Sequence, residues 1–99
     1  MNIKVNSVHF KADKKLEAFI TEKLQKMPSL FDGIIGSEVM LKVENSEDRD
    51  NKLVEIRLLI RGSDLFAKKQ AKTFEEATDL AVEALRKQIV KHKEKIRGI

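Results

Sequence analysis

Cysteine, tryptophan and tyrosine are absent from this chain of 99 residues; proline occurs once and glycine four times. Without cysteine there is no disulfide, no thiol nucleophile and no thiolate-bound metal. Two histidines and carboxylates scattered along the chain offer little to a metal ion, so no metal and no cofactor are expected. No glycine-rich phosphate loop and no strand–serine–helix elbow is present. The expectation is therefore a non-enzyme with no small-molecule substrate. The opening "MNIKVNSVHF" lacks the apolar run of a signal peptide, and no segment approaches membrane-spanning length. A cytoplasmic protein without a membrane partner is the corresponding expectation. Aromatic residues are scarce too, with five phenylalanines in all. Phe10, Phe19 and Phe74 fit core positions, so stacking on nucleic-acid bases is expected to be limited.

What the chain has in quantity is charge. Charged residues make up 36% of it, with 20 Lys and Arg against 16 Asp and Glu, for a net charge of +4. Such a balance favours a polyanionic partner without deciding which. The length suits a single domain, residues 1–99, around one modest core.

The apolar periods give the elements. "NIKV" (2–5) alternates, with Ile3 and Val5 on one face, and reads as a first strand. Asp13 suits the N-cap of a helix whose Leu16, Phe19, Ile20, Leu24 and Met27 share one side. Pro28 ends it, because the residue before a proline is pushed out of helical geometry. Gly33 and Gly36 then mark a loop. "GIIG" (33–36) has the spacing of the backbone-clamping loop of KH domains, but it lies between a helix and a strand and reads as a turn.

From Ser37 the period becomes two. Val39, Leu41 and Val43 face one way, and Glu38, Met40, Lys42 and Glu44 the other. After a polar turn at "NSEDRDN" (45–51), Val54, Ile56, Leu58 and Ile60 alternate with Glu55, Arg57, Leu59 and Arg61. "GSD" (62–64) fits a tight hairpin into a last strand, "LFAKKQAK" (65–72). Thr73 is a plausible N-cap for a final helix with Phe74, Thr78, Ala81, Leu85, Ile89, His92 and Ile96 along one stripe. The order is β-α-β-β-β-α. It implies an α+β fold, a four-stranded antiparallel-rich sheet with both helices on one face and the other face partly open.

The chain ends on "RKQIVKHKEKIRGI" (86–99), with six basic residues and one acidic. Lys87, Lys91 and Lys95 fall in one row beside the apolar stripe; Arg86, Lys93 and Arg97 fall on the other flank. Glu75, Glu76, Asp79 and Glu83 open the same helix, an arrangement that suits its dipole. Dipole complementarity accounts for a few of these charges but does not call for so many bases, whereas a phosphate backbone does. Lys23 and Lys26 on the first helix and Lys68, Lys69 and Lys72 on the last strand extend the basic set. Binding through them should depend on phosphate positions and shape more than on base sequence. His92 sits on the apolar stripe and reads as a half-buried packing residue, and His9 lies in a loop with no apparent partner.

"VMLKVEN" (39–45), "GSDLFA" (62–67) and above all "DLAVEALRKQIVKHKEKI" (79–96) resemble the ribosome hibernation promoting factor family, which includes the ribosome-associated inhibitor protein. The likeness covers essentially the whole chain. It implies a fold similar to double-stranded RNA-binding domains. It also implies a translation factor that binds the small ribosomal subunit and the whole ribosome in the mRNA/tRNA channel, contacts rRNA, and silences ribosomes in starvation or stationary phase. By that resemblance the rRNA-facing bases are Lys23, Lys26, Lys87, Lys91, Lys93 and Lys95; the charge pattern adds Arg86 and Lys68.

Long members carry a further domain that pairs ribosomes, and inhibitor-type short members an acidic tail. This sequence resembles the short hibernation promoting type, for which a separate ribosome-dimerising factor is a second partner to expect. It departs from the family where Thr73, Phe74 and Glu75 stand at the usual Asp-Met-Tyr run, at Lys69, a usually small position, and at Val90, often a base. Two rival readings stand beside this one. The first is a general double-stranded RNA-binding module, disfavoured by the acidic start of the last helix and by the first strand. The second is a protein-interaction domain docking a partner through Met40, Leu53 and Leu59 on the open sheet face.

Overall fold

Every second residue of the strands turns an aliphatic side chain the same way, and those side chains become the floor of the core. The computed structural model describes residues 1–44 and 50–96, the last of these by its backbone alone. Most of the turn expected at 45–51 lies outside the described residues, as do Arg97 and the side chain of Ile96. The elements are β1 (Asn2–Ser7), α1 (Lys14–Gln25), a 3-10 turn (Met27–Leu30), β2 (Ile34–Val43), β3 (Lys52–Ile60), β4 (Ser63–Ala71) and α2 (Phe74–Ile96). The strands form one sheet in the order β1-β2-β3-β4. β1 runs parallel to β2, and the remaining pairs are antiparallel. A parallel neighbour needs a crossover, which α1 supplies. The expected β-α-β-β-β-α order and α+β class are thus what the chain adopts.

Val39, Leu41, Val54, Ile56, Leu58 and Ile60 are buried on one face of the sheet. Ile20, Leu24 and Met27 from the α1 side and Phe74, Ala77, Ala81, Val82, Leu85 and Ile89 from α2 close over them. Phe10 stacks on Phe74 with ring centroids 5.3 Å apart, so the first bend and the start of α2 share one edge of the core. Asp13 caps α1 by accepting from the Leu16 amide at 2.8 Å, and Thr73 Oγ1 accepts from the Glu76 amide at 3.0 Å at the start of α2. Each cap satisfies one of the backbone donors left unpaired at a helix N-terminus.

Gly36 corrects the sequence reading. It is not in a loop: β2 begins at Ile34, not Ser37, and Gly36 pairs with Asn2 in β1. A Cβ at Gly36 would lie 2.8 Å from the Asn2 carbonyl oxygen, so the residue is small because two strands approach closely there. A register shift between Ile34 and Gly36 accompanies it, the local cost of admitting β1. β1 itself runs two residues further than the sequence pattern indicated, to Ser7. Pro28 sits inside the 3-10 turn, where its fixed φ and missing donor are tolerated. The β3–β4 hairpin turns at Arg61 and Gly62, with Gly62 at φ 89°, so Ser63 and Asp64 already belong to β4.

Candidate nucleic-acid interface

Positive charge on α2 is arranged by what each flank of the helix faces. Asp79 pairs with Lys23 of α1 at 3.2 Å, so the side of α2 that carries Asp79 looks toward α1. Arg86 is seven residues on and belongs to the same row, with Lys93 a further two turns along. The opposite flank looks toward the outer edge of β4. Gln88 settles this: its Nε2 donates to the Phe66 carbonyl at 2.7 Å and its Oε1 accepts from the Phe66 amide at 3.3 Å. Lys91 and Lys95 follow Gln88 at i+3 and i+7, with Lys87 beside them. Between the two rows runs a ridge of Glu83, Val90 and Glu94, all exposed.

The cations therefore form two rows and not one patch. Arg86, Lys87, Lys91 and Lys95 are exposed, and Lys93 is half-buried. None of these five enters an ion pair formed among the described residues. Lys26, the C-cap of α1, is exposed as well. Lys23 is more constrained. Besides its pair with Asp79, its ammonium lies 5.4 Å from the centroid of the Phe19 ring. Both members of that pair are well solvated, at 39% and 54% side-chain exposure, so the bond is worth at most about 1 kcal/mol and leaves Lys23 exchangeable.

Lys68 does not join them. In β4 its side chain is on the open face of the sheet, opposite Glu55 in the register, and it pairs with that carboxylate at 3.8 Å. The sheet separates it from the helix layer. The seven helix-borne candidates lie on the helix side of the sheet, in rows and not in one patch, and Lys68 lies on the other side. Strand parity carried the signal: Ala67 is buried, so its neighbour must point away.

The open face itself is mixed in charge. Lys4, Glu38 and Arg57 stand in one cross-strand row, and Met40, Glu55 and Lys68 in the next. Phe66, at 45% exposure, and Met40 border a shallow groove of about 170 Å³ there. Leu53, offered as an apolar contact on this face, is in fact buried. Among the described residues no three of His, Asp and Glu gather as a metal would require, and no helix is long and apolar enough to cross a membrane.

One feature of the helix layer had no signal in the sequence. His92 is half-buried, as its place on the stripe indicated, and it meets the Phe31 ring edge-on with centroids 5.2 Å apart. Phe31, Asp32, Gly33, Ile35, Arg61 and His92 line an open groove of about 400 Å³ beside the basic half of α2. Phe66 is thus an accessible ring and Phe31 a half-buried one, and neither was among the phenylalanines assigned to the core. Phe66 is turned outward by the same strand parity as Lys68, whereas the place of Phe31 follows from loop closure, which no local period encodes.

Comparison with known proteins agrees with this architecture. A ribosome hibernation promoting factor of Pseudomonas putida is 30% identical over 99 residues, covering 100% of this chain and 93% of that protein. A protein of the same name from Klebsiella oxytoca is 24% identical over 97 residues, covering 98% of each. Among solved structures, a ribosomal subunit interface protein from Coxiella burnetii superposes with a TM-score of 0.83 at 19% identity, covering 95% of this chain and 99% of that one. The N-terminal domain of Thermus thermophilus Protein Y gives 0.77 at 21% identity, covering 90% and 96%. These two likenesses speak for the fold alone. The family model described as sigma 54 modulation protein / S30EA ribosomal protein matches residues 3–97, and the chain belongs to that family.

Proposed function

We propose that this chain is a ribosome hibernation factor, a non-enzymatic cytoplasmic protein that binds the small ribosomal subunit through rRNA and blocks the channel used by mRNA and tRNA when growth stops. The observation that carries the proposal is the concentration of Arg86, Lys87, Lys91, Lys93 and Lys95 on the flanks of a helix whose inner stripe is buried in the core. A packed helix presents its cations at fixed spacing, so they meet phosphates without first losing backbone freedom. The match to a family whose named members include ribosome hibernation promoting factors supports reading that surface as an rRNA contact. Lys23 and Lys26 extend it across α1. Lys68 stays outside this surface, because it faces the other way.

The test is sedimentation of the purified protein with 70S ribosomes and separated subunits over a salt series. Co-migration with the small subunit, weakened steeply by salt and excluded by bound tRNA, is the expected result. A protein that stays at the top of the gradient at low salt would end this reading. Pairing of ribosomes is scored in the same gradients, with and without a separate dimerising factor. The exposed Phe66 beside Met40 favours one second reading, a protein partner on the open face. Such apolar docking would survive salt that strips phosphate contacts.

A further inference from the structure

The groove at the end of α2 combines features that the phosphate-binding rows do not need. Its floor is apolar: the Phe31 ring is half-buried, and Ile35 stands 60% exposed at the start of β2. An exposed isoleucine next to a half-buried aromatic ring is surface that water covers badly. The rim is polar, with Arg61 and Asp32 both lining the same space. Arg61 enters none of the ion pairs formed among the described residues, and its backbone amide donates to the Gly33 carbonyl at 3.4 Å, which ties the hairpin to this loop. Gly33 makes room for the Phe31 ring, which lies where a side chain at that position would have to go. His92 meets that ring edge-on from α2, and Lys95 follows His92 at i+3 on the same helix.

We infer that this groove receives one unpaired RNA base, its face against Phe31 and Ile35, its edge toward Arg61 and Asp32, and its phosphate toward Lys91 and Lys95. The inference rests on the reading of the chain as an RNA binder and narrows it from backbone contact to capture of a single-stranded nucleotide. Charge and shape select this occupant. A phosphate alone has no use for an apolar floor. An apolar peptide side chain has no use for a guanidinium and a lysine row at the rim. A base within a duplex is already stacked and offers neither face. An unpaired base has two flat apolar faces, a hydrogen-bonding edge and an attached anion, and proteins hold such bases on aromatic rings beside arginine. Asp32 disfavours phosphate in the groove itself, which leaves that anion to the lysines, and it accepts from an exocyclic amino group, a preference for adenine or cytosine over uracil.

The test needs no ribosome. Wild-type protein is titrated with oligo(A) and oligo(U) hexamers and with a short RNA hairpin, followed by NMR of backbone amides and isoleucine methyls. The expected result is a shift of Ile35, Phe31 and Arg61 signals by the single strands, oligo(A) the tighter, while the hairpin moves only the α2 flanks. Phe31→Leu and Ile35→Ala are each expected to weaken single-strand binding about tenfold and to leave hairpin binding unchanged. Ile35 is exposed, so Ile35→Ala stands as a folded control should Phe31→Leu perturb the loop. The proposal is overturned if the single strands move only the lysine flanks, if both variants lower hairpin and single-strand affinity equally, or if no hexamer binds at low salt. Any of these results leaves ribosome binding intact as a separate question, settled by sedimentation.

Discussion

Residues 74–85 and 86–96 of α2 belong to one helix but differ in how much they bury and in the charge they expose. The first stretch buries Phe74, Ala77, Thr78, Ala81, Val82 and Leu85, and its exposed charges are the acids Glu75, Glu76, Asp79 and Glu83. Among its described side chains the second keeps only Ile89 fully inside, leaves Val90 56% exposed, and carries bases on both flanks. The acids sit at the positive end of the helix dipole and the bases at the negative end, so the polarity that suits an anionic ligand also suits the helix. Packing and exposed positive charge are thus divided along one continuous backbone, and the proposed binding surface lies on its less buried half.

Leu85→Ala should break the comparison from the anchoring side, with the largest effect. Leu85 has no exposed surface, and leucine truncations in close-packed cores cost about 2–5 kcal/mol. In a domain of this size that lowers the thermal midpoint by roughly 10 °C or more. Calorimetry checks it, and ribosome affinity measured well below the new midpoint should be unchanged. A variant that loses binding while still folded would show that the two halves are not separable.

From the other side, Lys87→Glu combined with Lys91→Glu should lower ribosome affinity by about a hundredfold or more, with stability kept within about 1 kcal/mol. Both lysines are exposed and neither packs the core. The salt slope of binding should fall by about 2 if each lysine neutralises one phosphate. Normal sedimentation with ribosomes would move the proposed surface elsewhere on the molecule.

Thr73→Ala acts on the anchor with a smaller effect. The Thr73 hydroxyl accepts from the Glu76 amide, and loss of such a cap costs about 1 kcal/mol. Denaturant midpoints should register that loss while ribosome binding stays level. Thr73→Ser should restore it, since the capping oxygen is all that the interaction requires.

The division between the halves was legible in the sequence because both of its signals are local. A stripe at helical spacing and a change of charge sign along one helix need no knowledge of the rest of the chain. The alternating strands and the two helix caps were legible for the same reason. Gly36 was misread because a glycine reports that a side chain is unwelcome without saying whether a turn or a neighbouring strand excludes it. Only the pairing with Asn2, more than thirty residues away, decides that. Lys68 was grouped with the helix bases by charge, although the parity of β4 already placed it opposite Ala67. The groove at Phe31 was invisible, since it joins the end of one helix, a loop and a hairpin turn that no sequence window contains.

The smallest effect concerns the acidic half, which is not a passive counterweight. Asp79 holds Lys23 at 3.2 Å across the α1–α2 seam and so occupies a lysine that the proposed RNA contact would use. A phosphate must displace a carboxylate to use that lysine, and the exchange subtracts from the affinity that Lys23 can supply. Asp79→Asn removes the competitor while keeping the side chain's size. Because the pair is solvated, the cost in stability should stay below about 1 kcal/mol, and ribosome affinity at low salt should rise about threefold. Lys23→Ala in the Asp79→Asn background should cancel the gain, which ties the effect to that lysine and not to the change in net charge alone. A gain that persists without Lys23 would mean that Asp79 repels RNA directly, and the acidic half would then border the binding surface as well as anchor it.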